Sequence, residues 1–76
     1  MKTVQISLNS IDKVKSFVND ITKFDYDFDL VSGRYVIDAK SIMGIFSLDL
    51  SKPIALEAHT EDASEFFENI KQYIVD

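Results

Sequence analysis

Cysteine is absent from the 76 residues, proline occurs once, histidine once and glycine twice. Without cysteine there are no disulfides and no thiolate metal ligands. A chain of this length buries only about 60% of the surface it exposes when unfolded, so its core has to rely on packing alone. One histidine with no cysteine cannot supply the usual zinc ligand set within one chain. Two isolated glycines, Gly33 and Gly44, cannot build a glycine-rich phosphate loop. Basic residues are also scarce, 8 against 13 acidic, for a net charge of −5. That balance excludes a nucleic-acid backbone as the main ligand, because such binding needs clustered Lys and Arg. No apolar stretch is long enough to span a bilayer, and Met1-Lys2-Thr3-Val4-Gln5 lacks the apolar stretch of a signal peptide. The expectation is a cytoplasmic protein without membrane insertion. What is present is ordinary for a folded domain: 46% hydrophobic residues and 12% aromatics, too apolar for disorder. There are no linkers, repeats or low-complexity stretches, so residues 1–76 read as one domain.

Val4, Ile6 and Leu8 alternate with Gln5 and Ser7, which predicts a strand with one buried face. Asn9 or Ser10 can cap a helix whose apolar positions Ile11, Val14, Phe17, Val18 and Ile21 follow at three- and four-residue spacing. Tyr26, Phe28 and Leu30 alternate with Asp25, Asp27 and Asp29. A turn at Gly33 then returns Tyr35, Val36 and Ile37 as a partner strand. Ser41 through Leu48 read as a docked helix of roughly two turns, capped by Ser41 and weakened by Gly44 by about 1 kcal/mol relative to Ala. Pro53 stands at the start of a strand in which Ile54, Leu56 and Ala58 alternate with Ala55, Glu57 and His59. Thr60 is the expected cap of a last helix, with Glu61 and Asp62 in its first turn and Ala63, Phe66, Phe67, Ile70 and Ile74 as its buried stripe. The order β-α-β-β-α-β-α describes an α+β fold, an antiparallel sheet with helices on one face and the aspartates of the second strand in water on the other.

Three sets of residues invite chemistry. Asp25, Asp27 and Asp29 lie about 7 Å apart along one strand face. A calcium loop is excluded, because Leu30 and Val36 stand where it needs Gly and Glu; the three are read as a solvated sheet face. His59, at a strand end beside Glu57, reads as an ordinary surface histidine. Ser41 follows Lys40 and opens a helix. A phosphate there would meet free backbone N–H groups, the positive end of the helix dipole and a nearby ammonium; a plain N-cap is the simpler alternative. Beside it Ile42, Met43, Phe46 and Leu48 are more apolar than a short helix easily buries, so a docking patch and a place in the core are both open.

The run Lys40-Ser41-Ile42-Met43-Gly44-Ile45-Phe46-Ser47-Leu48 resembles HPr, the histidine-containing phosphocarrier of the bacterial sugar phosphotransferase system. Lys23-Phe24-Asp25, the hairpin at Gly33 and the order of elements extend the likeness over nearly the whole chain. The resemblance implies an open-faced β-sandwich of four antiparallel strands with three helices on one side. One departure is marked. In HPr a His-Ala-Arg-Pro motif precedes the first helix, and its histidine carries the phosphate. Here Leu8-Asn9-Ser10-Ile11-Asp12-Lys13-Val14 is about three residues shorter and has no His, Arg or Pro.

The regulatory serine of the family is matched, by Ser41. In HPr of Gram-positive bacteria and in its relative Crh, which also lacks the active-site histidine, that serine is phosphorylated by HPr kinase/phosphorylase. The product serves as corepressor for a LacI-type catabolite regulator. The expectation is therefore a non-catalytic regulatory or interaction protein with no cofactor and no metal, switched at Ser41. Lys40, Ile42, Met43 and Phe46 form its docking surface, and the kinase, a LacI-type regulator or a sugar permease component its partners. Its alternatives are a phosphocarrier acting through a non-standard site such as His59, and a scaffold that binds a partner constitutively.

Overall fold

The computed structural model describes residues 2–75. Along the chain run β1 (Lys2–Ile6), α1 (Ile11–Ile21), β2 (Asp27–Ser32), β3 (Tyr35–Asp38), α2 (Ile42–Phe46), β4 (Ile54–His59), α3 (Ser64–Ile70), a 3-10 turn (Lys71–Tyr73) and β5 (Ile74–Val75). The sheet is antiparallel with strand order β3-β2-β4-β1-β5. It has five strands where four were expected. The addition arises because the helical stripe stops short of Ile74: the chain tightens into the 3-10 turn at Tyr73, and Ile74 then pairs with Ile6. No helix among the described residues is long and apolar enough to cross a membrane.

Strand alternation sorts the side chains into two faces. Ile6, Phe28, Leu30, Ile54, Leu56 and Ala58 point to one side, where Val14, Phe17 and Ile21 of α1, Ile45 of α2 and Phe66 and Ile70 of α3 complete the core. Aromatic rings hold its centre. Phe66 stacks on Phe28 with centroids 4.2 Å apart and meets the edge of Phe24 at 5.3 Å, and Phe17 and Tyr73 form a T-shaped pair at 5.5 Å.

Local signals explain most element boundaries. Ser10, extended at φ −149°, caps α1 by accepting from the Lys13 N–H at 3.2 Å. Ile11 is 61% exposed rather than core, because it opens the first turn before the stripe at 14, 17 and 21 begins. β1 ends at Ile6, yet Leu8 is fully buried; the Ser7 N–H donates to the Tyr73 carbonyl at 2.8 Å and ties this exit down. Gly33, at φ +60°, makes the β2–β3 turn that other residues enter only with strain. Thr60 does not cap α3. That helix starts four residues later, where the Asp62 carboxylate accepts from the Ser64 N–H at 3.1 Å and from its hydroxyl at 2.8 Å. Those two bonds hold the Asp62 carboxyl below its ordinary pKa, the hydroxyl bond contributing more. Asp49 is lowered in the same way by the hydroxyl and N–H of Ser51.

Candidate functional site

Helix α2 is a single turn rather than two, and Ser41 is its cap. The Ser41 hydroxyl accepts from the Gly44 N–H at 3.3 Å, and its carbonyl accepts from the Ile45 N–H at 3.0 Å. Gly44 is needed here for close approach. A Cβ on it would lie 3.2 Å from the Ser41 hydroxyl and 3.3 Å from Cδ1 of Ile37. The residue that lowers helix propensity is therefore the one that lets the cap close over the turn.

The four apolar residues around this turn divide. Ile45, inside the turn, is fully buried, and Ile42 and Leu48 are partly buried against the core. Met43 is 77% exposed and Phe46 39% exposed, both on the outer side of the turn. Ser41 is exposed beside them. A patch of one flexible thioether, one aromatic ring and one hydroxyl is suited to contact with a partner.

Lys40 departs from expectation. Its ammonium donates to the Phe24 carbonyl at 2.9 Å and lies 5.5 Å from the centroid of the Phe28 ring. The side chain is half-buried and serves as a strut between the β3–α2 corner and the entry to β2. It is not held out beside Ser41, so its ammonium is not positioned to meet a phosphate there.

At the start of α1, Ser10 occupies the cap, with Ile11 exposed behind it. Farther along α1, the Tyr73 hydroxyl donates to the Asp20 carboxylate at 3.2 Å. Burial first, then the Asp20 charge, raises the Tyr73 pKa above its ordinary 10.0.

The open face of the sheet holds His59 and two of the three aspartates singled out above. Asp29 pairs across the strands with Asp38 on one side and Glu57 on the other, while Asp27 pairs with His59. His59 leans diagonally, so that Nε2 is 2.8 Å from Oδ2 of Asp29. The alternation placed Asp27 and Asp29 on one face and Glu57 and His59 on one face. That the two faces are the same follows only from the pairing of β2 with β4, which no local pattern reveals.

The comparisons decide the family. The family model described as the PTS HPr component phosphorylation site matches residues 13–76. The chain belongs to the HPr family. The match begins at Lys13, inside α1, and so takes in only the last two residues of the Leu8–Val14 stretch that stands where HPr carries its histidine motif. HPr-C-His from Thermoanaerobacter tengcongensis is 28% identical with a TM-score of 0.78, over 95% of this chain and 89% of that one. The phosphocarrier protein HPr from Bacillus anthracis is 30% identical with a TM-score of 0.72, over 97% and 94% of the two chains. Crh, the catabolite repression protein of Bacillus subtilis, solved as an intertwined dimer with a swapped domain, is 25% identical with a TM-score of 0.65, over 96% and 90%. No curated protein sequence matches. Members of the HPr family are phosphocarriers that work with other components of the phosphotransferase system. The observed architecture agrees with the open-faced sandwich of this HPr family, the fifth strand being a short addition at the β1 edge.

Proposed function

We propose that this HPr family member is a non-catalytic regulatory protein of the sugar phosphotransferase and carbon catabolite system, switched by phosphorylation of Ser41. The observation that carries this reading is the exposed Ser41 hydroxyl beside exposed Met43 and Phe46 on α2, in a chain with no histidine at the entry to α1. A phosphoserine adds about −1.5 to −2 charges and three strong acceptor oxygens. These oxygens can take over the bond from the Gly44 N–H, so the turn survives modification. With the Lys40 ammonium already bound to the Phe24 carbonyl, the new charge is not neutralised by that neighbour and is left for a partner's Arg or Lys to read. Met43 and Phe46 supply the apolar part of the same contact, and Ile42 and Lys40 act behind them by setting the position of the turn. The expected writer is HPr kinase/phosphorylase, and the expected readers are a LacI-type catabolite regulator or a sugar permease component.

The test is intact-mass measurement after incubation with HPr kinase and ATP. One phosphate on the wild type and none on Ser41→Ala is the expected result; no phosphate on the wild type, or equal addition to both, overturns the switch. Incubation with phosphoenolpyruvate and enzyme I separates the alternative of histidine transfer, which requires an acid-labile phosphate lost in His59→Gln. His59 sits on the open sheet face, away from the helices, hydrogen-bonded to Asp29, which favours the serine reading.

A further inference from the structure

The open face carries a cluster that phosphoryl regulation does not use. One row across the sheet reads Asp38, Asp29, Glu57 and Thr3, on β3, β2, β4 and β1 in turn. Three carboxylates thus stand directly opposite one another on adjacent strands, an arrangement in which like charges destabilise pairing. Among the described residues no Lys or Arg forms an ion pair with it. Among the described residues the ion pairs are His59 with Asp29 and Lys71 with Glu68. The surface concavity beside the row, about 360 Å³, is lined by Asp27, Phe28, Asp29, Asp38 and His59, again without a basic residue other than the imidazole.

We propose that Asp29, Glu57 and His59, one imidazole with two carboxylates rather than the usual histidine- and cysteine-rich set, bind a divalent transition-metal ion of the zinc class on this face. One ligand atom from each of the three lies within 4.8 Å of the others. Around a tetrahedral ion with bonds of about 2.0–2.2 Å, donors stand about 3.4 Å apart, so side-chain rotation closes the remaining gap without moving the backbone. The strands fix the rest: Asp29 and Glu57 are register partners, and His59 follows Glu57 by two residues on the same face. Binding opens the 2.8 Å contact between Nε2 of His59 and Oδ2 of Asp29 and seats the ion between these atoms. The imidazole then carries its proton on Nδ1 and offers the Nε2 lone pair. Two carboxylates neutralise the ion, Asp38 and Asp27 add favourable field, and water fills the open position. The nitrogen donor distinguishes this set from an acidic patch, since calcium and magnesium take oxygen ligands while imidazole suits zinc and its neighbours.

The experiment is calorimetric titration of the untagged chain with ZnCl₂ in a non-chelating buffer, repeated with CaCl₂ and MgCl₂. One zinc per chain is expected, with affinity reduced at least about tenfold in His59→Gln and in Asp29→Asn, on the scale of 10–100-fold seen for lesser disturbances of metal sites. Glu68→Gln, an exposed acid on α3, leaves it unchanged. All three substituted side chains reach solvent, and circular dichroism confirms that each variant is folded. In ¹H–¹⁵N NMR spectra the zinc-induced shifts centre on residues 29, 57 and 59. Absence of stoichiometric zinc binding, equal zinc binding by His59→Gln, or calcium binding as tight as zinc each overturns the proposal.

Discussion

The two faces of the sheet are built from alternate residues of the same strands and follow opposite rules. On the helix-covered face every buried residue is apolar, and no buried side-chain polar atom among the described residues lacks a partner. On the open face, carboxylates crowd together with no lysine or arginine among the described residues paired to them. The difference shows where a small domain without cysteine obtains its stability, and where it has latitude to hold chemistry that does not help folding. Helix α2 lies between the two regimes, anchored by Ile45 and bare at Met43.

The contrast breaks if the covered face is not dominant. Phe66→Ala removes the ring stacked on Phe28 and is expected to cost about 3–5 kcal/mol, read as the midpoint shift in urea unfolding; a loss below 1.5 kcal/mol would place the main support elsewhere. At the boundary, Ser41→Ala deletes a cap and should cost about 1 kcal/mol by the same measurement. Gly44→Ala alone should bring none of the roughly 1 kcal/mol that helix propensity promises, because its Cβ crowds the Ser41 hydroxyl at 3.2 Å. In the Ser41→Ala background the same change should stabilise, and additivity in this double-mutant cycle would refute the steric reading.

The edge of the core has its own signature in pH. The Tyr73 pKa is raised in the folded state above its ordinary 10.0. Its contribution is therefore intact below pH 10, where the phenol is neutral in both states, and is lost as pH rises through the folded value, because the unfolded chain ionises first. Stability of the wild type should fall more steeply above about pH 10 than that of Tyr73→Phe; parallel curves would remove Tyr73 from the account. The smallest expected effect belongs to the open face. In metal-free buffer Glu57→Gln relieves one like-charge pair with Asp29 and should stabilise by a few tenths of a kcal/mol. A destabilisation above 1 kcal/mol would mean that the face is structurally required after all.

Much of this was legible from the chain. Ser10, Gly33, Ser41 and the periodic stripes of α1 and α3 act locally, through caps, a turn and one-sided burial, and local rules find such features. Four features needed the third dimension. Thr60 looks as good a cap as Asp62, but Asp62 forms the turn that opens α3. Ile74 fits a helical stripe until β1 offers it a partner. Lys40 is next to Ser41 in sequence, yet its long side chain finds the Phe24 carbonyl 16 residues away. Asp29 and His59 are 30 residues apart and meet only because β2 and β4 are neighbours. Local chemistry is written in adjacent residues, whereas a site assembled across strands depends on topology.

The placement of β1 has a kinetic consequence. It sits inside the sheet between β4 and β5, so the earliest strand of the described chain is held only by residues 54–59 and 74–75. Apart from the β2–β3 hairpin, every strand pairing closes a long loop, and such closures must be made before any contact rewards them. Folding should therefore nucleate around the hairpin and its α2 neighbour, with β1 joining late. A chain still being synthesised would carry β1 as an unpaired, half-apolar edge until β4 had emerged.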